Sequence, residues 1–227
     1  MDNTFLYSEV TDLPLDEVPG DGVHDWESTF PTLKVINDRK LDVLHEVRNA
    51  SADGWFAWPQ SNLWREGQQR WDVLPLLGFG MRALDKLACF PLLAELLTQV
   101  KGLRTAIFSR VGPRTKIKPH RGPFALSSNI LRCHFGIQAP RNSGIWVNGQ
   151  FVQQEAGEWI VFDDTKLHSG INDSDEDKIV LLLDLKRPEH AIPASWPRYP
   201  FPTGFPPGWE SIANANENVE RFDPESL

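Results

Sequence analysis

The chain contains 227 residues, of which 41% are hydrophobic and 24% are charged, and its formal net charge is −8, a composition typical of one globular domain. No apolar run approaches the ~20 residues of a membrane-spanning helix, and the acidic N-terminus lacks the features of a secretory signal, so we expect a cytoplasmic protein with no membrane partner. The acidic total and the scattered basic residues argue against nucleic-acid binding.

The negative charge is concentrated at the two ends of the chain. Residues 1–30 hold eight acidic residues and no Lys or Arg, and the residues from 205 onward carry a net −4, which leaves residues 31–204 with about +4. A mildly basic centre suits an anionic small molecule. We predict an acidic N-terminal arm over 1–30, a single catalytic domain over 31–190 and a Pro- and aromatic-rich acidic tail over 191–227.

The first half of the domain is predicted to be largely helical. Apolar residues at helical spacing indicate a helix over 38–47. The Trp- and Gly-rich residues 51–80 fit either an irregular lid or a packed segment of the core, and the usual burial of aromatic residues favours the core. Residues 81–100 predict two helical pieces that meet at Phe90-Pro91, with the proline in the first turn of the second piece.

From residue 104 onward the pattern changes to short strands separated by turns. Residues 131–138 alternate between apolar and polar, so Arg132 and His134 must share one face. Asn148-Gly149 is a strong signal for a two-residue hairpin turn. The spacing of about 8 to 12 residues between strands predicts an antiparallel barrel or sandwich. Further strands are predicted at 106–111, 144–147, 150–153, 158–162 and 179–185.

Two histidines, His120 and His168, stand 48 positions apart at the ends of strand-like segments. Imidazole is the commonest metal ligand in proteins, and two imidazoles on neighbouring strands can hold a divalent ion with coordination positions left open. Many iron oxygenases carry a carboxylate two positions after the first histidine, where this chain has Gly122. An isolated histidine pair is weak evidence, and by spacing alone a structural role for both is the commoner outcome.

Five short motifs make the segment from residue 106 to about residue 188 resemble the catalytic domain of the aspartyl/asparaginyl β-hydroxylase family. Members of that family use Fe(II), 2-oxoglutarate and O₂ to hydroxylate an unactivated carbon. The resemblance implies a mainly β fold with flanking α-helices, in which a double-stranded β-helix (jelly-roll, cupin-like) core over 104–187 has the helical part, residues 38–102, packed outside. The motifs are Phe108-Ser-Arg-Val-Gly-Pro113, Pro119-His-Arg-Gly-Pro123, Leu131-Arg-Cys-His134, Phe162-Asp-Asp164 with His168, and Val180 to Asp184.

The resemblance implies that His120 and His168 are the catalytic iron ligands. The family is known for lacking the third, carboxylate ligand, so Gly122 fits it. Asp163 and Asp164 precede the second histidine and are predicted to orient it or to shape the turn before it, because metal-bound imidazoles generally need an acceptor behind them.

The same resemblance implies how 2-oxoglutarate binds. Ser109 matches a hydroxyl that contacts the distal carboxylate, while Arg132 and His134 match residues that contact the near carboxylate or an acidic group of the substrate. Lys178 stands where the family has an arginine that pairs with the distal carboxylate. A lysine supplies a point charge but not the bidentate fork of arginine, so we expect cosubstrate binding to persist in a weaker form.

The predicted function is therefore an Fe(II)- and 2-oxoglutarate-dependent oxygenase that hydroxylates a C–H bond of a small carboxylate-bearing substrate, such as an amino acid, a short peptide or a related metabolite. Residues 124–130 form a longer link than the family usually has, so an aspartyl or asparaginyl substrate is not assumed. The alternatives are desaturation, ring closure or halogenation at the position left open by Gly122, and a non-catalytic barrel that binds a small acid.

Overall fold

The computed structural model describes residues 8–11, 22–64, 66–203 and 219–223. The rest of the predicted N-terminal arm and C-terminal tail lies outside the described residues. Six α-helices are present in the described part of the chain: α1 (Trp26–Thr29), α2 (Lys34–Asn37), α3 (Lys40–Asn49), α4 (Leu84–Leu87), α5 (Pro91–Leu97) and α6 (Phe124–Ser127). None of the described helices is long and apolar enough to cross a membrane.

Fifteen β-strands occur in the same residues, and all their pairings are antiparallel. They are β1 (Glu9–Val10), β2 (Val23–His24), β3 (Phe56–Ala57), β4 (Trp71–Gly78), β5 (Met81–Ala83), β6 (Leu103–Val111), β7 (Thr115–Lys116), β8 (His120–Arg121), β9 (Ile130–Gln138), β10 (Ser143–Val147), β11 (Gln150–Gln153), β12 (Trp159–Phe162), β13 (His168–Asn172), β14 (Lys178–Lys186) and β15 (Val219–Arg221).

The strands form two sheets. The larger has the order β15-β5-β4-β6-β14-β9-β12-β2, with β3 added on β4, and the smaller has the order β1-β8-β13-β10-β11, with β7 added on β13. Several neighbouring strands, such as β6 and β14 or β1 and β8, are far apart in sequence, as in a jelly roll, where the chain crosses from one sheet to the other. The predicted double-stranded β-helix is confirmed.

Strand β14 shows why the chain folds in two layers. Its residues alternate, so that Leu181 and Leu183 lie in the large core cluster against the helices while Lys178 and Val180 line a cavity between the sheets. Helix α5 contributes its buried leucines to the same cluster. The helices therefore cover one face of the large sheet and leave its other face for a site.

The first half of the domain contains more strand than the sequence indicated. Helix α3 confirms the predicted helix at 38–47, and Pro91 begins α5 as expected. The prediction of a helix starting at Met81 was wrong, because Phe79 and Gly80 have φ angles of 53° and 76° and form a two-residue turn that pairs β5 with β4. Positive φ at both turn positions matches the strand twist, which gives a hairpin at this point.

Candidate active site

The two histidines of the sequence analysis face each other across two paired strands. His120 on β8 is the register partner of His168 on β13, and their ring centroids are 4.2 Å apart. Their exposed fractions are only 5% and 3%. The smaller sheet therefore brings both imidazoles to one point of the cavity wall.

Backbone carbonyls fix the orientation and the tautomer of both rings. The Nδ1 atoms of His120 and His168 lie 2.8 Å from the carbonyl oxygens of Lys118 and Lys166. A carbonyl oxygen only accepts, so each Nδ1 carries the proton and each Nε2 keeps a free lone pair. Burial, together with the neighbouring His168, lowers the pKa of His120 to about 3, and burial also lowers the pKa of His168. Both rings are thus neutral near pH 7, which is the state that binds a metal.

Asp164 occupies the space beside Gly122. A Cβ atom added to Gly122 would lie 1.7 Å from Oδ2 of Asp164 and 2.1 Å from Oγ of Ser127. Oδ1 of Asp164 lies 3.4 Å from Nε2 of His168. Arg132 already supplies a positive charge to this carboxylate oxygen, and the two Nε2 lone pairs are the donor atoms that fit a divalent metal ion.

Among the described residues, no group of three or more His, Cys, Asp or Glu side chains is arranged to hold a metal ion. The arrangement is therefore a pair of imidazoles with a carboxylate next to it. Such a set leaves several coordination positions for other ligands.

The cavity beside the histidines has a polar end. Ser109 on β6 and Lys178 on β14 lie on the same inner face, since Ser109 is paired with Val180 two residues further along β14. His134 lines the cavity as well, and neither of its ring nitrogens has a hydrogen-bond partner among the residues that the structure describes. Apart from Arg132, the remaining walls are apolar or glycine: Trp71, Val111, Ile117, Ile145, Phe162, Gly170, Val180 and Leu182.

Lys178 is buried at this polar end. It is 3% exposed, and its Nζ donates to the carbonyl oxygen of Gly144 at 2.7 Å. Burial lowers the pKa of Lys178 to about 7. Burial also lowers the pKa of His134, and the nearby Lys178 and Arg132 lower it further. A buried ammonium beside a neutral imidazole favours an anionic ligand.

A family model described as aspartyl/asparaginyl beta-hydroxylase matches residues 38–188. The chain belongs to this family.

The chain is also similar to two relatives with curated names. The chain is 31% identical over 122 residues to an ornithine lipid ester-linked acyl 2-hydroxylase of Rhizobium tropici, a match that covers 52% of this chain and 42% of that protein. It is 32% identical over 90 residues to the human aspartate beta-hydroxylase domain-containing protein 2, covering 38% of this chain and 23% of that protein. The chain thus spans less than half the length of these relatives.

A solved structure with a similar chain trace is that of an oxidoreductase of the 2OG-Fe(II) oxygenase family from Burkholderia pseudomallei. The TM-score is 0.46 at 12% sequence identity, and the match covers 65% of this chain and 77% of that chain. The family assignment rests on the sequence match over residues 38–188 and not on this structural similarity.

In this beta-hydroxylase family member, Arg132 is already paired with two carboxylates. Its Nη1 donates to Asp164 at 2.6 Å and its Nε donates to Asp184 at 2.8 Å. Burial by itself would lower the pKa of Arg132, but the two carboxylates raise it above its ordinary value. Burial also opposes ionisation of Asp164, yet Arg132, His168 and Ser127 outweigh it and lower the pKa of Asp164 to about 2. Asp184 ends the last family motif and Ser127 lies in the 124–130 link, but neither was predicted as a site residue.

The two aspartates before His168 have different partners. Asp164 abuts the histidine pair, whereas Asp163 accepts hydrogen bonds from Arg187 at 2.6 and 2.9 Å and from Thr165 at 2.7 Å. Arg187 also donates to the carbonyl oxygen of Ser127. Asp163 therefore stabilises the turn before His168 and, through Arg187, helix α6. The atoms that accept from the Nδ1–H groups of His120 and His168 are backbone carbonyl oxygens, not the carboxylates of Asp163 and Asp164.

Residues outside the matched hydroxylase region also support the strand that carries His120. Strand β1 pairs with β8 so that Val10 lies opposite His120, and the backbone N–H of Thr11 donates to the carbonyl of Pro119 at 3.0 Å. Directly opposite residues point to the same side of a sheet, so Val10 shares the face of His120. Nothing in the sequence of residues 8–11 signals this contact.

Proposed function

We propose that this protein is an Fe(II)- and 2-oxoglutarate-dependent oxygenase that hydroxylates an unactivated C–H bond of a small carboxylate-bearing substrate. One observation carries the proposal: in a single cavity, two neutral imidazoles expose Nε2 lone pairs next to an end that contains the buried cation Lys178 and the hydroxyl of Ser109. A metal chelated by a dicarboxylate keto acid needs both parts.

The residues of the cavity have separate roles in the proposed reaction. His120 and His168 would hold the metal, with Asp164 as a nearby negative charge. When bound, Fe(II) supplies the redox chemistry by which 2-oxoglutarate and O₂ become succinate and CO₂ while one oxygen atom enters the C–H bond of the substrate. The protein contributes by excluding water and holding the reactants in place.

The polar groups of the cavity suit the two carboxylates of 2-oxoglutarate. Lys178 and Ser109 supply an ammonium and a hydroxyl for the distal carboxylate. The ring nitrogens of His134, which have no partner among the described residues, suit the near carboxylate, whereas most of the donors of Arg132 already serve Asp164 and Asp184. Arg132 therefore orients the carboxylates of Asp164 and Asp184. A direct contact with the substrate would use only its remaining N–H groups.

The rest of the cavity wall supports the proposed substrate class. Beyond the polar end the wall is mainly apolar, with Ile117, Ile145 and Phe162. Such a wall accepts the aliphatic part of an amino acid, a short peptide or a related metabolite. A lipid acyl chain is the second candidate, because the wall is apolar and the Rhizobium tropici relative is named as an acyl 2-hydroxylase.

The test is reconstitution of the purified protein without oxygen, followed by exposure to O₂. We expect succinate to form from 2-oxoglutarate only with Fe(II), and His120→Ala to reduce its formation at least a hundredfold, in line with the loss of a metal ligand. His190→Ala is the matched control, since His190 is exposed on the surface. Full turnover by His120→Ala would refute the assignment.

Product mass separates the possible outcomes of the chemistry. A screen of amino acids, short peptides and acyl substrates by mass spectrometry should show the gain of one oxygen atom. Loss of two hydrogens would indicate desaturation or ring closure, and gain of chlorine would indicate halogenation. A protein that binds no iron and shows no thermal shift with 2-oxoglutarate would be a non-catalytic barrel.

A further inference from the structure

Trp71 makes a hydrogen bond inside the polar end of the cavity that the family motifs do not include. Its indole Nε1–H donates to Oγ of Ser109 at 2.9 Å, and both residues line the cavity. Trp71 is 7% exposed and Ser109 is 5% exposed. Strand β4 pairs with β6 so that Val73 lies opposite Ser109, which places Trp71 and Ser109 on the same face.

This bond determines what the hydroxyl of Ser109 can do. An indole N–H is a donor only, whereas a hydroxyl has one proton to donate and lone pairs to accept with. Because Ser109 accepts from Trp71, its own proton must point elsewhere. Among the described residues, Ser109 donates to no acceptor. The hydroxyl proton is therefore left for a ligand.

The donor is held rigidly. The ring of Trp71 stacks on that of Trp58, with centroids 4.4 Å apart and an angle of 11° between the planes. Trp64 packs in the same cluster and fastens it by donating from its own Nε1 to the carbonyl of Trp58 at 3.1 Å. The indole of Trp71 thus has little freedom to turn its N–H away from Ser109.

We propose that Trp71 is a positioning residue that aims the hydroxyl proton of Ser109 at the distal carboxylate of the dicarboxylate cosubstrate, next to Lys178. This inference rests on the proposed function. A carboxylate offers two oxygens, and arginine can serve both with its fork, but a lysine supplies one point charge. With a lysine in place of the arginine fork, a Ser109 proton fixed in direction is the second donor that remains for the distal carboxylate.

The test measures binding without turnover. 2-Oxoglutarate is titrated anaerobically into the Mn(II)-loaded protein and its Kd is determined by calorimetry. We expect Trp71→Phe, which keeps an aromatic ring but removes the N–H, to weaken binding about tenfold. Trp159→Phe is the matched control: it removes the indole N–H of a buried tryptophan that packs in the large core cluster outside the cavity, and its Kd should equal that of the wild type.

Two comparisons separate positioning from a general packing defect. The ligand 2-oxobutyrate lacks the distal carboxylate, so Trp71→Phe should leave its Kd unchanged. In a Ser109→Ala background, Trp71→Phe should have no additional effect on 2-oxoglutarate. Equal weakening of both ligands, or an undiminished effect in Ser109→Ala, would overturn the inference.

The outcomes also distinguish this inference from the proposed function. If the wild type binds no 2-oxoglutarate, the proposed function fails; if it binds and Trp71→Phe binds equally well, only the inference fails. Should Trp71→Phe not fold, the Zn(II)-loaded wild type with ¹⁵N-labelled indole provides the test. The Trp71 Nε1–H resonance, identified by its displacement in Ser109→Ala, should shift with 2-oxoglutarate and not with 2-oxobutyrate, and an unchanged resonance would overturn the inference.

Discussion

At the scale of single residues, the polar end of the cavity contains one buried amine, that of Lys178. Lys178 donates to a carbonyl oxygen, and burial lowers its pKa to about 7. The group facing it, His134, has a lowered pKa and is neutral. A bound carboxylate favours the protonated lysine, so the affinity for 2-oxoglutarate should be full below about pH 7 and fall by up to tenfold per unit above it. Titration calorimetry at a series of pH values measures this dependence.

Lys178→Arg is the control for that prediction. Arginine remains protonated at every pH of the series, so the variant should bind 2-oxoglutarate with an affinity that does not change between about pH 6 and 9. Lys178→Met should lose most of the binding at every pH. A pH dependence that persists in Lys178→Arg would assign the titration to another group.

Gly122 is required by the close approach of Asp164 and Ser127. A methyl group at position 122 would overlap the carboxylate of Asp164, because its carbon atom would lie 1.7 Å from Oδ2. Gly122→Ala should therefore reduce the free energy of unfolding by about 1–3 kcal/mol, the usual cost of overpacking. Urea denaturation measures the loss. In a background that carries both Asp164→Ala and Ser127→Ala the same change should cost much less, and equal costs in both backgrounds would refute the steric explanation.

At the scale of elements, the sequence predicts strands well where apolar and polar residues alternate or where a turn has its usual residues. Strand β9 and the Asn148-Gly149 hairpin are confirmed. Strand β4 was missed because it contains Pro75, which breaks a typical strand pattern. The register shifts between Pro75 and Leu77, and this irregularity accommodates the missing N–H.

The same reasoning explains which parts of the site could be predicted. His120 and His168 were identified because strand ends and family motifs mark them. The bonds from Trp71 to Ser109 and from Arg132 to Asp184 join residues 38 and 52 positions apart. Contacts of this kind follow from the register of strands that are not consecutive in sequence, which local patterns do not encode.

The short strand β1 supports the strand that carries His120. The backbone N–H of Thr11 donates to Pro119 at 3.0 Å, and a proline at position 11 would remove that donor. Thr11→Pro should weaken the edge of β8 by about 1 kcal/mol, seen as amide hydrogen exchange at Arg121 that is about fivefold faster. Thr11→Ser keeps both the N–H and the hydroxyl and should exchange like the wild type. Unchanged exchange in Thr11→Pro would show that β1 does not hold β8.

At the scale of the whole molecule, both sheets converge on the cavity, so ligand binding and global stability are linked. The imidazoles belong to the small sheet and Lys178 belongs to the large one. A ligand that binds only the folded state at a hundred times its Kd raises the free energy of unfolding by about 2.7 kcal/mol.

We expect Mn(II) to raise the melting temperature of the wild type and of His190→Ala, but not of His168→Ala. Because the keto acid is proposed to chelate the metal while its distal carboxylate meets Lys178, 2-oxoglutarate should add a further rise only when Mn(II) is present. If 2-oxoglutarate gave the full rise in melting temperature in metal-free protein, its binding energy would come from contacts with the polar end alone. If Mn(II) raised the melting temperature of His168→Ala, the metal would bind at another site.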